Sequence, residues 1–407
     1  MAKKMLFLFV LLLSLTGMLK AQVTTAGMSG KVVADEEAVI GATVVAVHEP
    51  SGTSYGTVTN IDGRFSLQGM RSGGPYKVTV SYVGYQTAIY TGIQLQLGET
   101  YSLNVTLHEA SELLGEITIT ASKSKFSAEK TGATTNISSE QLTTLPSINR
   151  SISDFTRISP YASGNSFGGR DGRSNTFTVD GANLNNNFGL SSGLPGGGNP
   201  ISLDAIDEVQ VVIAPYDVRQ ANFIGAGINA ITKSGTNAYR GSAYMYFNNE
   251  VMRGNKIGDT DFGVRAEESK TVYGATFGGP IIKDKLFFFA NVEYEKSPQQ
   301  VITWRAAKEG ETPNNSTISR TTEADLAEFS QILKDKYRYN TGSFTDFPAD
   351  VTNLKLLGRI DWNINQGNKL SVRYNFTNNK TWEAPNGSSG NTGYRLAYNR
   401  VSAYSMS

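Results

Sequence analysis

Past Tyr239 the chain alternates, and this alternation constrains the fold more than any other feature. Leu286, Phe288, Ala290, Val292 and Tyr294 share one face, against Phe287, Phe289, Asn291, Glu293 and Glu295 on the other. Leu356, Gly358, Ile360, Trp362 and Ile364 oppose Lys355, Leu357, Arg359, Asp361 and Asn363 in the same way. Leu370, Val372, Tyr374 and Phe376 then oppose Ser371, Arg373, Asn375 and Thr377. Successive strand residues point to opposite faces, so a period of two marks β-strands with one apolar side. A soluble sheet would alternate too, and the connections narrow the choice. Strands are expected over 239–248, 270–278, 286–296, 354–364, 369–378 and 394–406, the last alternating poorly beyond Tyr398. The connections 249–269, 279–285, 297–353, 365–368 and 379–393 run long, short, long, short, long. Crossing segments of about 9–11 residues with short turns at one end and long loops at the other fit a transmembrane antiparallel β-barrel. The 297–353 loop is expected to hold an amphipathic helix with Leu326, Phe329, Leu333 and Tyr337 on one side. Six strands leave an unpaired edge that lipid does not tolerate, so the sequence reads as the N-terminal part of a longer protein.

Composition excludes several classes of function. With no cysteine, the chain has no disulfide, thiolate zinc site, iron–sulfur cluster, thiol nucleophile or cysteine-linked lipid anchor. Two histidines, His48 and His108, leave little room for a metal site or a histidine relay. The balance of 37 basic and 36 acidic side chains lacks the basic excess of a nucleic-acid binder. No catalytic residue, cofactor or metal is expected, and the chain does not read as an enzyme. Residues 1–21 read as a signal peptide: Lys3 and Lys4 precede the apolar run from Met5 to Leu15, and Ala21 stands at the expected cut. That run is too short for a membrane-spanning helix, which needs about 20 residues.

Residues 22–109 read as a small β-sandwich. Short strands such as Val39–Val47 and Tyr76–Tyr82 are separated by turns, among them Asp62-Gly63, and Leu103, Val105 and Leu107 close the set. A linker follows over 110–130. Within it Glu116, Ile117, Thr118, Ile119, Thr120 and Ala121 alternate apolar and polar with high β-propensity. Three readings of this segment stay open: a last sandwich strand, a first strand of the next unit, or a strand donated to a partner's sheet edge.

Residues 131–237 combine one short helix with several strands. Ser138–Leu142 starts like a capped turn, Ile152, Phe155 and Ile158 recur at three-residue spacing, and Leu203 onward runs from a helical turn into a strand ending near Val212. Two catalytic-looking motifs fail on their surroundings. Gly164-Asn165-Ser166-Phe167-Gly168 has the form of a nucleophile elbow, yet both histidines precede it and no helix is expected after it. Gly225-Ala226-Gly227-Ile228-Asn229-Ala230 has the form of a dinucleotide fingerprint, but Ile228–Lys233 alternates as a strand where a helix must open.

Three resemblances cover most of the chain. Gly41-Ala42-Thr43-Val44, Thr59–Phe65 and Ser81-Tyr82-Val83-Gly84-Tyr85 resemble, in order, the carboxypeptidase regulatory-like domain, which implies a transthyretin-like fold without catalytic residues. Glu116–Ala121 looks like a TonB box, the energy-coupling motif of TonB-dependent transporters. Phe177–Gly181, Ala205–Val211 and Gly225–Gly235 are similar, in order, to the plug domain of TonB-dependent receptors, which implies glycines used for close packing inside a barrel. The whole resembles Oar-like TonB-dependent receptors of the Bacteroidota type, and SusC-like glycan importers share the layout. The resemblance implies a mainly β protein: N-terminal β-sandwich, α+β plug, and, from residue 238 to 407, the start of a barrel that has 22 strands when complete. It further implies an outer-membrane location and a ligand too large for porins. It also implies TonB with its inner-membrane energising complex as partner, and it leaves a surface lipoprotein partner open. The alternative is a non-transporting structural or adhesive surface β-protein.

Overall fold

The computed structural model describes residues 23–109, 117–120, 133–145, 147, 150–185, 199–215, 220, 223–261, 268–299, 305–313, 318–342, 349–365, 367–383 and 399–406. The expected signal peptide, Glu116 and Ala121, and most of the Asn/Gly-rich stretch 183–199 lie outside the described residues.

The first unit is a two-sheet sandwich. In one sheet Ala26–Ala34 pairs antiparallel with Arg64–Met70 and parallel with Thr100–Ser102 and Val105–Leu107. The other sheet runs Thr53–Val58, Thr43–His48, Gly73–Ser81, Ala88–Leu95, Ile117–Thr120. Alternation in each strand sends Met28, Val32, Val44, Ala46, Val78, Val80, Ile93 and Val105 into one shared core. The Asp62-Gly63 turn forms because Gly63 takes φ +70° and Asn60 Oδ1 accepts the N–H groups of Asp62 (3.0 Å) and Arg64 (2.8 Å).

The middle unit is a mixed sheet in the order Ala133–Ser138, Ile206–Ala214, Gly227–Thr232, Thr176–Val179, Ala182–Asn183. Two short helices accompany it where one was expected. Ser139–Thr144 starts where Gln141 Oε1 accepts the Ser138 N–H, 3.0 Å, and Ile152–Thr156 buries Ile152 and Phe155. Ile158 is exposed, because the helix ends at Thr156 and the three-residue spacing stops with it. Leu203–Ala205 is one 3₁₀ turn leading into Ile206–Ala214.

The third unit is a six-stranded antiparallel meander: Arg240–Asn249, Ser269–Ile282, Leu286–Gln299, Ala349–Asn363, Lys369–Glu383 and Asn399–Met406. Its four central strands run 14 or 15 residues, longer than the alternating segments that announce them. At about 3.3 Å per residue such strands outreach the hydrocarbon layer, and only their lipid-facing stretch needs apolar residues on one side. The last strand is described over Asn399–Met406, and the earlier part of its expected range, 394–398, lies outside the described residues. The connection after Gln299 contains the helix Glu323–Tyr337, capped by Thr322 and Asp325. None of the helix's residues is buried: Phe329 and Tyr337 are exposed, while Leu326 and Leu333 are half-buried.

Polarity in this sheet is turned inside out. Val292, Tyr294, Ile360, Trp362, Leu370, Val372 and Tyr374 are exposed on the outer face, while Asn291, Glu293, Lys355, Asp361, Asn375 and Thr377 are buried on the inner one. Against that inner face sits the middle unit, whose core continues into Phe289 and Leu357 of the sheet.

Candidate functional site: the seam between the middle unit and the curved sheet

Two buried ionic nodes fasten the middle unit to the polar face of the six-stranded sheet. The first is built on Asp180, which follows the strand Thr176–Val179 in a tight Asp-Gly turn with φ +48°. Asp180 accepts the backbone N–H of Thr232 at 3.0 Å and its hydroxyl at 2.6 Å, so it also ties its own sheet together. From the outer sheet Arg359 approaches Asp180 at 3.7 Å and Arg373 at 3.4 Å. Arg359 also donates to Asp361 (2.8 Å) and to the Thr232 carbonyl (2.6 Å), and Ser371 donates to Asp361. The sandwich contributes Arg71, which pairs with Asp361 at 3.3 Å and donates to Ser234. Burial pushes the nearby Asp207 carboxyl above the usual carboxylate range, with Arg71 and Lys233 pulling the other way.

The second node centres on Glu293, which is 4% exposed at its side chain. Lys355, 1% exposed, donates to it at 2.8 Å. Tyr244 and, from the middle unit, Ser202 donate to the other oxygen at 2.9 and 2.8 Å. Arg150 of the middle unit pairs with Asp204, reaches Glu293 at 3.9 Å and lies 3.7 Å over the Tyr246 ring. Next to it is a cavity of about 380 Å³ whose lining includes Leu142, Arg150, Asp204, Lys233, Tyr246 and Lys270.

Such nodes set position more than they add stability, since desolvating the charges offsets most of their attraction. A seam of exchangeable hydrogen bonds and ion pairs can reopen when water enters.

The sandwich docks onto the same assembly at the end with the short turns. Leu97 inserts into the middle unit: its N–H donates to both oxygens of Glu208 (3.0 and 3.1 Å), and its carbonyl accepts from Gln210 at 2.6 Å. Burial raises the Glu208 carboxyl from 4.5 to about 8, with the Leu97 N–H acting in the opposite direction. Asn237 donates its N–H to the Pro50 carbonyl (2.8 Å), Asn363 donates to Thr53 (2.9 Å), and the Lys369 ammonium lies 3.1 Å over the Tyr55 ring.

Comparison with known proteins matches this layout. Residues 27–108 match the carboxypeptidase regulatory-like domain, and residues 231–405 match the outer membrane beta barrel domain. Over 344 residues the chain is 25% identical to the TonB-dependent transporter Oar of Myxococcus xanthus, covering 80% of this chain and 30% of that protein. The chain is thus similar to a TonB-dependent transporter. The matched barrel model supports an outer-membrane location, and the curated relative is a transporter, not an enzyme. Among solved structures it is similar to the siderophore receptor PirA of Pseudomonas aeruginosa, with 16% identity, TM-score 0.39, and 62% of this chain and 35% of that one covered. Similarity to the ferric enterobactin receptor PfeA of the same organism is 15% in identity with TM-score 0.42, covering 69% and 39%. The chain thus spans about a third of the length of the relatives it matches.

The residues singled out in the sequence fall as follows. Ile117–Thr120 is a strand, paired parallel to Ala88–Leu95 at the edge of the sandwich. Ser166 lies in a two-residue hairpin between Ala162–Ser163 and Ser166–Phe167, its hydroxyl donating to the Arg170 carbonyl, so the elbow-like motif is a turn. The fingerprint-like glycines open the strand Gly227–Thr232, and a Cβ on Gly227 would meet the Phe223 ring at 2.7 Å. His48 is buried against Tyr76, with its Nδ1 2.7 Å from the Ser51 hydroxyl, and burial lowers its pKa to about 3, so it stays neutral. His108 is exposed. The two nodes were missed. Those on the polar faces of strands or in the Asp-Gly turn are marked as inward-facing but not as partners, and Arg71, Arg150, Ser202 and Asp204 lie between strands without even that mark.

Proposed function

We propose that this protein is a TonB-dependent outer-membrane receptor and transporter. It takes up a ligand too large for porins, energised through TonB by the inner-membrane proton gradient. The observation that carries this reading is the seam. Asp180, Ser202 and Arg150 of the middle unit are held by buried polar groups on the inner face of a sheet whose outer face is apolar. That is the arrangement of a stopper inside a membrane wall, seated by contacts that water can replace. The middle unit, residues 131–237, is then the plug, and 238–407 the beginning of the barrel. TonB grips the segment Glu116, Ile117, Thr118, Ile119, Thr120 and Ala121 by strand addition, in which main-chain bonds supply the affinity. Pull on that segment unseats the plug, and no covalent step is involved.

Deleting residues 116–121 from the full-length protein tests this. Uptake is expected to stop while ligand still binds at the cell surface. Undiminished uptake would remove the TonB assignment. A full-length protein that moves no solute, with or without the segment, would favour a structural or adhesive role.

A further inference from the structure

The strand Ile117–Thr120 is not suspended between the sandwich and the middle unit. It runs parallel to Ala88–Leu95, with Ile117 opposite Ala88, Thr118 opposite Ile89, Ile119 opposite Tyr90 and Thr120 opposite Thr91. Ala88–Leu95 is already paired on its other side with Gly73–Ser81, so the sheet has four strands without it. Ile117–Thr120 is the terminal strand of the sheet order, and its outer row of N–H and C=O groups meets no further strand among the described residues. Such a row is a template for a strand from another chain.

The supporting strand has a second attachment. Two residues beyond its end, Leu97 is clasped by Glu208 and Gln210 on the central middle-unit strand Ile206–Ala214. One continuous strand therefore carries the TonB-box candidate near its start and an anchor to the middle unit just past its finish.

We propose that the sandwich is a presentation platform: it holds Ile117–Thr120 as a preformed edge strand to which a TonB strand adds as the sixth of the sheet, so that pull reaches the middle unit through Ala88–Leu95 and Leu97. This rests on the assignment of 116–121 as the segment TonB grips. A loose segment must be ordered when it binds, whereas a segment already extended and hydrogen-bonded on one side has given up that freedom beforehand. Addition at the outer edge breaks no existing bond. Capture of a loose segment would first require the four-residue pairing to open.

Residues 1–407 contain no cysteine, and any cysteine elsewhere in the full-length protein is first replaced by serine. Thr91→Cys/Thr120→Cys in the full-length protein places two thiols on facing residues. Paired strands lie about 4.8 Å apart, within the roughly 4.4–6.8 Å between Cα atoms that a disulfide spans. The pair is expected to oxidise within one chain. The oxidised protein, in detergent, should bind the purified periplasmic domain of TonB within about threefold of the reduced form, or more tightly. Binding that is lost on oxidation and restored by reductant would overturn the proposal, because TonB would then need the edge that Ala88–Thr91 occupies. Failure of the cross-link to form would overturn it as well. A wrong box assignment shows itself differently: deletion of 116–121 would leave TonB binding unchanged.

Discussion

The sandwich and the six-stranded sheet are written in the same two-residue alternation and partition it oppositely. In the sandwich Val78 and Val80 are fully buried and Lys77 is exposed. In the outer sheet Val292 and Tyr294 are 43% and 40% exposed, and Asn291 and Glu293 are buried. Alternation therefore specifies a strand and the existence of two media, but not which medium is protein. The sandwich finds a second sheet for its apolar faces. The outer sheet finds none, and its apolar face is left for lipid while its polar face receives the middle unit.

The sharpest way to break this comparison is to remove a charge that only an inside-out sheet would bury. Lys355→Ala leaves Glu293 desolvated with its principal partner gone. The full-length protein is expected to lose about 3–5 kcal/mol in denaturant titrations in micelles. Lys77→Ala, on the exposed side of a sandwich strand, should stay within about 0.5 kcal/mol. Equal losses at the two lysines would mean that the two sheets are not opposites.

The apolar faces supply a smaller contrast. Val78→Ala removes two methyls from a packed core, and the sandwich is expected to lose about 2 kcal/mol from transfer and cavity terms together. Val292→Ala is expected to cost under about 1 kcal/mol, because fluid lipid or detergent fills the space that a rigid core would leave empty. A loss at Val292 as large as that at Val78 would place protein, not lipid, against the outer face.

What was legible in the sequence was whatever depends on neighbours. The Asp62-Gly63 turn, the Ser138–Gln141 cap and the strand beginning at Leu286 each follow from a few adjacent residues. The seam was not legible, because Asp180 meets Arg359 and Arg373 across long stretches of chain. The polar face of Lys355, Arg359 and Asp361 announces an interior but names no partner for any of them. Ile117–Thr120 shows the same limit. Its composition says strand, but main-chain edges are interchangeable, so nothing local selects Ala88–Thr91 as the edge it joins.

Between these two regions lies a contact that fits neither pattern, and its expected signal is the gentlest. Glu208 accepts the Leu97 N–H in a buried setting, and burial lifts its carboxyl from 4.5 to about 8. Leu97 draws it back down, while the neighbouring Asp207 and Glu99 push it further up. When the sandwich is undocked Glu208 regains water and its ordinary acidity, so between about pH 4.5 and 8 the docked state holds the proton and the undocked state does not. Docking is therefore strongest below that window and weakens as pH rises through it, with a slope of at most about 1.4 kcal/mol per pH unit. Spin labels at the exposed positions Ile61→Cys and Ile257→Cys would report the docked distance by electron–electron resonance. The docked population is expected to fall from pH 5 to pH 8.5. Glu208→Gln keeps an acceptor for Leu97 and removes the contribution of Glu208 to this slope, leaving that of Asp207, whose carboxyl burial also raises. A wild-type population that ignores pH would show that Glu208 is wet, and that the sandwich rests against the middle unit without being clasped by it.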